Sequence, residues 1–555
     1  MKKEIFYLTM MFLLFFTVSY TYSIFKNTIV GSLTANINNW SFKANVTNGV
    51  VYNDGYKVKL NGTSGTISVN LNTIGSNKSV DYSIELIGDS SIKYYEDSNY
   101  TKLINNNTYT SILNNNTSKI TTIYYKSDKS LNTDIIVKIK ANNIPIYGVK
   151  RNTNSTSSSW ERINDSVGLV ANAVKPDNND PKNDFDNIYP WSDIKSYNYD
   201  AGTKKITAWY GDSNFKFDGS NGEVLTYIPE FYYKREVIDD IEYQYISKVN
   251  QEGFTYSKPF SVGRYKISKM TSSNQSGLSA NNMNNLIYSE NVKEPTNPVI
   301  DILNSIDIDP SNPDPDIPDS GIEPPEDLKF IPKSRSGCYP LTNKEISYFK
   351  INTGRLGTNF SLMDYHYFII QLLYLVEYGD YDSQVVLGKG NTNNHTELII
   401  TSGGTDKIGM KSGCLVDDGM HSMIYRGMED IYGNAFEIID GINIKGYQAY
   451  INYDYTTYEQ NVFDGKYRAL GYVNDNEEGY IIKLGYDSAN PLISLPVTVG
   501  KKDESGIKDF FHGNLSNEFL LAGGLYNSED YAGFWYYKTK YSSDDVYSAR
   551  FIRNH

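Results

Sequence analysis

Chemistry in a protein needs nucleophiles, acids, bases or metal ligands at spacings that let them meet, and this chain offers few. Its two cysteines, Cys338 and Cys414, would form one bridge after export or stay as two unpaired buried thiols. The five histidines, His366, His395, His421, His512 and His555, show neither an H-x-x-x-H nor an H-x-H spacing, so no metal-ligand pattern is written there. His366 falls between Tyr365 and Tyr367 in an apolar run, which gives it a structural role. His421 with Asp417 and Asp418 could touch a metal, but such lone clusters are ordinarily solvated loops. No G-x-S-x-G elbow and no phosphate-cradling glycine loop occurs. The alternate aspartates Asp307, Asp309, Asp314, Asp316 and Asp319 lack the glycine and glutamate that an EF-hand loop needs in register. No calcium, other metal or cofactor is therefore implied. Two acids distant in sequence can meet in space, which leaves a paired-carboxylate hydrolase open; no catalytic residue is named, and the chain reads as a binder rather than an enzyme.

What the chain has in excess is rings: 49 Tyr and 23 Phe in 555 residues, with 5 Trp. Tyr joins an apolar ring to a polar tip and suits wet interfaces, although part of the excess follows the Asn, Ile and Lys bias expected of AT-rich codons. The candidate ligand-binding residues are Tyr526, Asn527, Ser528, Tyr531, Phe534, Trp535, Tyr536, Tyr541, Asp544 and Tyr547, between Gly523-Gly524 and Ala549-Arg550-Phe551. Rigid rings among short polar groups are what antibody paratopes use. A protein or a glycan is the expected partner. The competing reading, that the rings fill the core, stands beside it for Phe534 and Trp535.

The formal net charge of -13 argues against a nucleic-acid partner, which would need a basic stripe. Lys2 and Lys3 precede an apolar run, Ile5 to Val18, followed by Ser19, Thr21 and Ser23. That is the pattern of a secretory signal; if Ser19 to Phe25 stays helical, the segment is long enough to remain as a membrane anchor. Residues 1–25 therefore predict export, with the chain at the cell surface, anchored or secreted.

Over 27–143, short alternating runs such as Tyr82-Ser83-Ile84-Glu85-Leu86, broken by Asn and Gly clusters, predict an all-β, sandwich-like spacer. From 144 the texture changes. Leu362 to Tyr378 carries helical apolar spacing, with Ser361 as N-cap and Gly379 as stop. Thr226-Tyr227-Ile228 before Pro229 predicts a strand cut by proline. The segment at about 289–329 is acidic, rich in proline and without periodicity, which predicts a mobile insertion.

Four blocks of this region occur in order: Tyr147-Gly148-Val149 with Trp160-Glu161-Arg162 and DFDNIYPWSDIK; GSNGEVLTYIPEFYYK; GRLGTNFSLMDYHYFIIQLLYLVEYGDYDSQ; and YRGMEDIYGNAFEIIDGINI, followed by LAGGLYNSEDYAGFWYYK and SARF. Together they resemble phage tail and bacterial surface proteins of the C-type-lectin, formylglycine-generating-enzyme-like fold, which the variable proteins of diversity-generating retroelements share. The resemblance implies an α+β chain: an N-terminal export or anchor helix, the sandwich-like spacer, and a C-type-lectin-like domain with long loops over 144–555. It also implies that the C-terminal stretch faces the ligand. Enzymes of that fold use a close cysteine pair near the C-terminus or a histidine trio, and neither is matched here. The expected function is a surface-displayed or secreted ligand-binding protein of the adhesin type. A phage-tail or fibre component is the alternative, and a secreted enzyme of that fold is the third reading.

Overall fold

Alternation of apolar and polar residues writes the first unit of the structure almost directly. The computed structural model describes residues 42–52, 55–76, 79–143, 145–251, 253–268, 332–396, 398–513, 519–539 and 545–555. The export segment at 1–25, the insertion at 289–329, and Tyr541 and Asp544 lie outside them. Among the described residues no helix is long and apolar enough to cross a membrane. The chain divides into Met1–Ile146 with Ser247–Tyr256, and Tyr147–Ile246 with Ser257–His555.

In the first unit, Val80, Tyr82, Ile84 and Leu86 are buried while the residues between them face outward, as a half-buried strand requires. The strands form one seven-stranded antiparallel sheet, ordered Lys43–Val46, Gly55–Asn72, Ser118–Asn143, Val80–Ile87, Thr108–Leu113 along its main path. The two long strands pair from Tyr56↔Val137 to Asn72↔Ser118, with a register break between Gly62 and Ser64. A break of this kind adds twist and bends the ribbon, and the strands of this unit form one continuously hydrogen-bonded sheet. Ser247–Tyr256 joins this unit, where the Gln251 side chain accepts the Ser79 N–H at 3.2 Å; no pattern in the sequence announced that return.

The α+β expectation for the chain is corrected by the second unit, which is mostly sheet. Across both units, twenty-nine strands stand against three α-helices, Ile346–Thr353, His366–Tyr378 and Ser383–Leu387, among the described residues. One sheet carries six strands, ordered Lys205–Trp209, Lys195–Asp200, Glu223–Ile228, Phe260–Gly263, Phe551–Asn554, Phe360–Leu362; another carries nine, built around Phe436–Lys445. Of the ten residues in Phe436–Lys445, all but Lys445 are buried. A strand covered on both faces does not alternate, so such segments read in sequence as irregular. The helix His366–Tyr378 begins later than predicted, because Phe360 and Leu362 pair with Arg553 and Phe551 of the C-terminal strand. Gly379 ends it with φ +65°, its N–H donating to Leu375.

The middle of this unit holds charge. Arg264, Lys266 and Arg550 are buried with Glu429, Asp430 and Glu437. Glu437 Oε2 accepts Lys266 Nζ at 2.9 Å and Arg550 Nε at 3.3 Å. Glu429 accepts the N–H groups of Gly403 at 2.7 Å and Thr405 at 2.9 Å, and the Thr405 hydroxyl. Burial, then the adjoining Asp430, pushes Glu429 up to about 7; burial likewise raises Asp430. Two adjoining buried carboxyls do not both carry charge at low cost, so the pair holds a proton that leaves as Glu429 titrates. A carboxyl whose folded pKa exceeds its unfolded value stabilises the fold below the unfolded value, and that contribution is lost as pH rises through the folded one. Stability against urea is therefore expected to fall as pH rises from about 4.5 to 7. Asp430→Asn, which removes the like charge beside Glu429, should flatten that fall; an unchanged slope in the variant would show that the pair does not set it.

Both cysteines are buried and free, which decides between the two readings of them. Burial pushes the Cys414 thiol up to about 11. Neither is expected to react with a thiol reagent in the native protein at about pH 8, where a free thiol is partly ionised, and both should react after unfolding. Rapid native labelling of either would contradict the packing.

Candidate functional site

One face of the nine-stranded sheet carries rings outward. Tyr480, on Gly479–Leu484, pairs with Phe510 on Phe510–His512, and His512 pairs with Lys538 on Tyr537–Lys538. Phe511 points inward, fully buried, so the strand's alternation turns Phe510 and His512 to the other side. The short turn Glu529–Tyr531 lays the Tyr531 ring on this face, 4.5 Å from Phe510 and 5.6 Å from Tyr480, with Tyr480 and Phe510 5.3 Å apart. The His512 ring lies tilted at 4.7 Å from Phe510 and 5.8 Å from Tyr536. Tyr531 is 39% exposed; Tyr480, Phe510 and His512 are half-buried.

The rim is polar. Lys502 lies over the Tyr480 ring at 5.7 Å and pairs with Asp530. Glu478 Oε2 faces His512 Nδ1 at 3.1 Å. Burial, then Lys538, lowers the His512 pKa against the opposing pull of Glu478, so the imidazole is neutral near pH 7 and offers one donor and one acceptor. Three contiguous rings with a neutral imidazole and rim charges of both signs can stack on a ligand's apolar face and hydrogen-bond its edges.

The structure divides the ten residues singled out in the sequence. Tyr531 and Asn527 are exposed and Tyr547 half-buried. Tyr526, Ser528, Phe534, Trp535 and Tyr536 are buried, a correction to their expected place at a ligand-facing surface. Phe534 packs against Tyr374 at 4.8 Å and Trp535 against Tyr381 at 4.7 Å; their area goes into the core. Tyr480, Phe510 and His512 were not among the binding residues singled out in the sequence, because strand pairing, which sequence does not print, brings them to the face that carries Tyr531. One outward ring in Gly479–Leu484 and the alternate rings Phe510 and His512 in Phe510–His512 were the available signal.

The residues weighed for chemistry have structural partners. His366 is buried between Phe260 and Tyr365, with Nδ1 2.5 Å from Asp364 Oδ1. His421 faces Asp418 at 2.9 Å in an exposed loop, and Asp417 pairs with Lys175. Among the described residues no group of three or more His, Cys, Asp or Glu is placed to hold a metal ion. No protein-family model and no curated protein matches the chain.

Proposed function

We infer that this chain is a surface-displayed or secreted ligand-binding protein whose recognition face is the platform of Tyr480, Phe510, His512 and Tyr531. The observation that carries the reading is the contiguous, solvent-facing set of rings with a charged rim. Rings displayed on a sheet lose little freedom on binding, and aromatic anchors ringed by polar groups supply most of the affinity in protein recognition. The basic start and apolar run of residues 1–25 support display outside the cell.

The test is binding of the full chain to glycan and protein arrays, followed by titration of the best ligand. The double variant Phe510→Ala, Tyr531→Ala is expected to weaken that ligand by about tenfold or more. A ligand held equally well by the double variant would remove the platform from recognition, and an absence of specific ligands on both arrays would remove the function.

A further inference from the structure

Lys350, on the helix Ile346–Thr353, and Asp440, on the strand Phe436–Lys445, meet across 90 positions of chain (440 − 350). Lys350 Nζ lies 3.3 Å from Asp440 Oδ2 and donates to the Tyr458 carbonyl at 2.6 Å. Asp440 is 5% exposed, and its Oδ1 accepts the Gly441 N–H at 2.9 Å. Gly441 has φ +76°, and a Cβ there would stand 2.6 Å from the Tyr458 ring, so glycine alone lets that ring pack against the backbone beside Asp440.

A second carboxyl adjoins the pair. The Asp440 N–H donates to the Met363 carbonyl at 2.7 Å, which brings Asp364 alongside. Asp364 is buried, with Oδ1 2.5 Å from His366 Nδ1 and Oδ2 accepting the Tyr458 hydroxyl at 2.9 Å. Burial raises the Asp440 pKa against the pull of Lys350, and the Asp364 charge adds to the rise. The parts are those of an acyl transfer with both partners on one chain. Lys350 Nζ is the nucleophile and Asp440 Cγ the electrophile. The Gly441 N–H sits on the oxygen that turns negative, and Asp364 is an acid beside them. Holding amine and carboxyl in contact raises their effective concentration far above that of free solutes.

We propose that Lys350 and Asp440 condense to an intramolecular amide, a covalent staple of the second unit. One proton passes from Nζ to Asp440, leaving an amine and an acid. Nζ attacks Cγ, and Oδ1 carries the charge of the tetrahedral intermediate against the Gly441 N–H. The Cγ–Oδ2 bond then breaks, and Oδ2 leaves as water with a second proton from Nζ, passed by Asp364. An ammonium and a carboxylate thus become one amide and one water, with no oxidant or reductant. The amide keeps both hydrogen bonds, its N–H donating to the Tyr458 carbonyl and its oxygen accepting from Gly441. It also removes an ion pair whose desolvation is costly, and supplies the covalent tie that two free cysteines do not. The proposal does not rest on the ring platform.

Trypsin digestion of the purified full chain, read by mass spectrometry, tests for the bond directly. Peptides 345–355 and 427–445 are expected as one linked species, a single water lighter than their sum and uncut after Lys350. Asp440→Asn should give the same linked mass, because ammonia leaves in place of water. Lys350→Arg should abolish the linked species, and Asp364→Asn should leave most of the chain unlinked. Recovery of 351–355 and 427–445 as free peptides from the natural chain would show an ion pair only and overturn the proposal. So would a linked species that survives Lys350→Arg, and full linkage in Asp364→Asn would overturn the proton relay.

Discussion

Replacing Arg550 by alanine is expected to cost the second unit about 3–5 kcal/mol, the range for breaking a buried ion pair from one side. That is a large share of the about 5–15 kcal/mol that ordinarily separates folded from unfolded protein. The Arg550 side chain is fully buried, pairs with Glu437, and donates to the carbonyls of Gly263 at 2.9 Å, Arg264 at 2.6 Å, Glu429 at 2.6 Å and Asp430 at 3.3 Å. Alanine would leave Glu437 with Lys266 alone and strip a donor from four carbonyls, each a desolvated acceptor. Arg550→Lys should fall between the two, because an ammonium keeps the charge but cannot span the planar fan of acceptors. Urea unfolding followed by near-ultraviolet circular dichroism reads both. A midpoint for Arg550→Ala within error of the natural chain would show that the cluster is dispensable.

The same residue shows where sequence reading stopped. Alternation is legible where one face of a sheet meets water, so Ile67, Val69 and Leu71, or Ile135, Val137 and Ile139, could be assigned to a core from their spacing alone. It fails where both faces are covered. Phe519–Ala522 is buried throughout and gives no period, and such strands of the second unit are not written in the pattern for that reason. The proline-cut strand at Thr226-Tyr227-Ile228 and the glycine stop at Gly379 were legible because both rest on local backbone sterics. Long-range partners were not. The charge cluster joins Lys266, Glu437 and Arg550 across 284 positions of chain (550 − 266), and each alone looks like an ordinary surface residue. The candidate site failed in the same way: one ring of the platform, Tyr531, lay in the stretch that composition singled out, and its three partners arrive by pairing from elsewhere.

Trp535→Ala and Tyr531→Ala are expected to separate stability from binding in opposite directions, although the two rings lie four positions apart. Trp535 is 1% exposed, packs edge-on to Tyr381 and lies 5.9 Å from Phe534; its backbone N–H, which alanine keeps, donates to Asp509 Oδ2 at 2.7 Å. Asp509 is itself buried, and that burial holds its carboxyl well above its usual range. Removing the indole opens a cavity that the neighbouring rings cannot close, for about 3–5 kcal/mol. Tyr531 contributes mostly surface, and its loss should shift stability by no more than about 0.5 kcal/mol. Binding to an array ligand should behave in reverse. At a temperature where Trp535→Ala remains folded its affinity should match the natural chain, while Tyr531→Ala loses affinity with its melting temperature kept. If Trp535→Ala instead lost affinity while folded, the indole would belong to the recognition face and its burial in a closed core would be refuted; if Tyr531→Ala melted early, the ring would be a wall of the fold and not a surface for a partner.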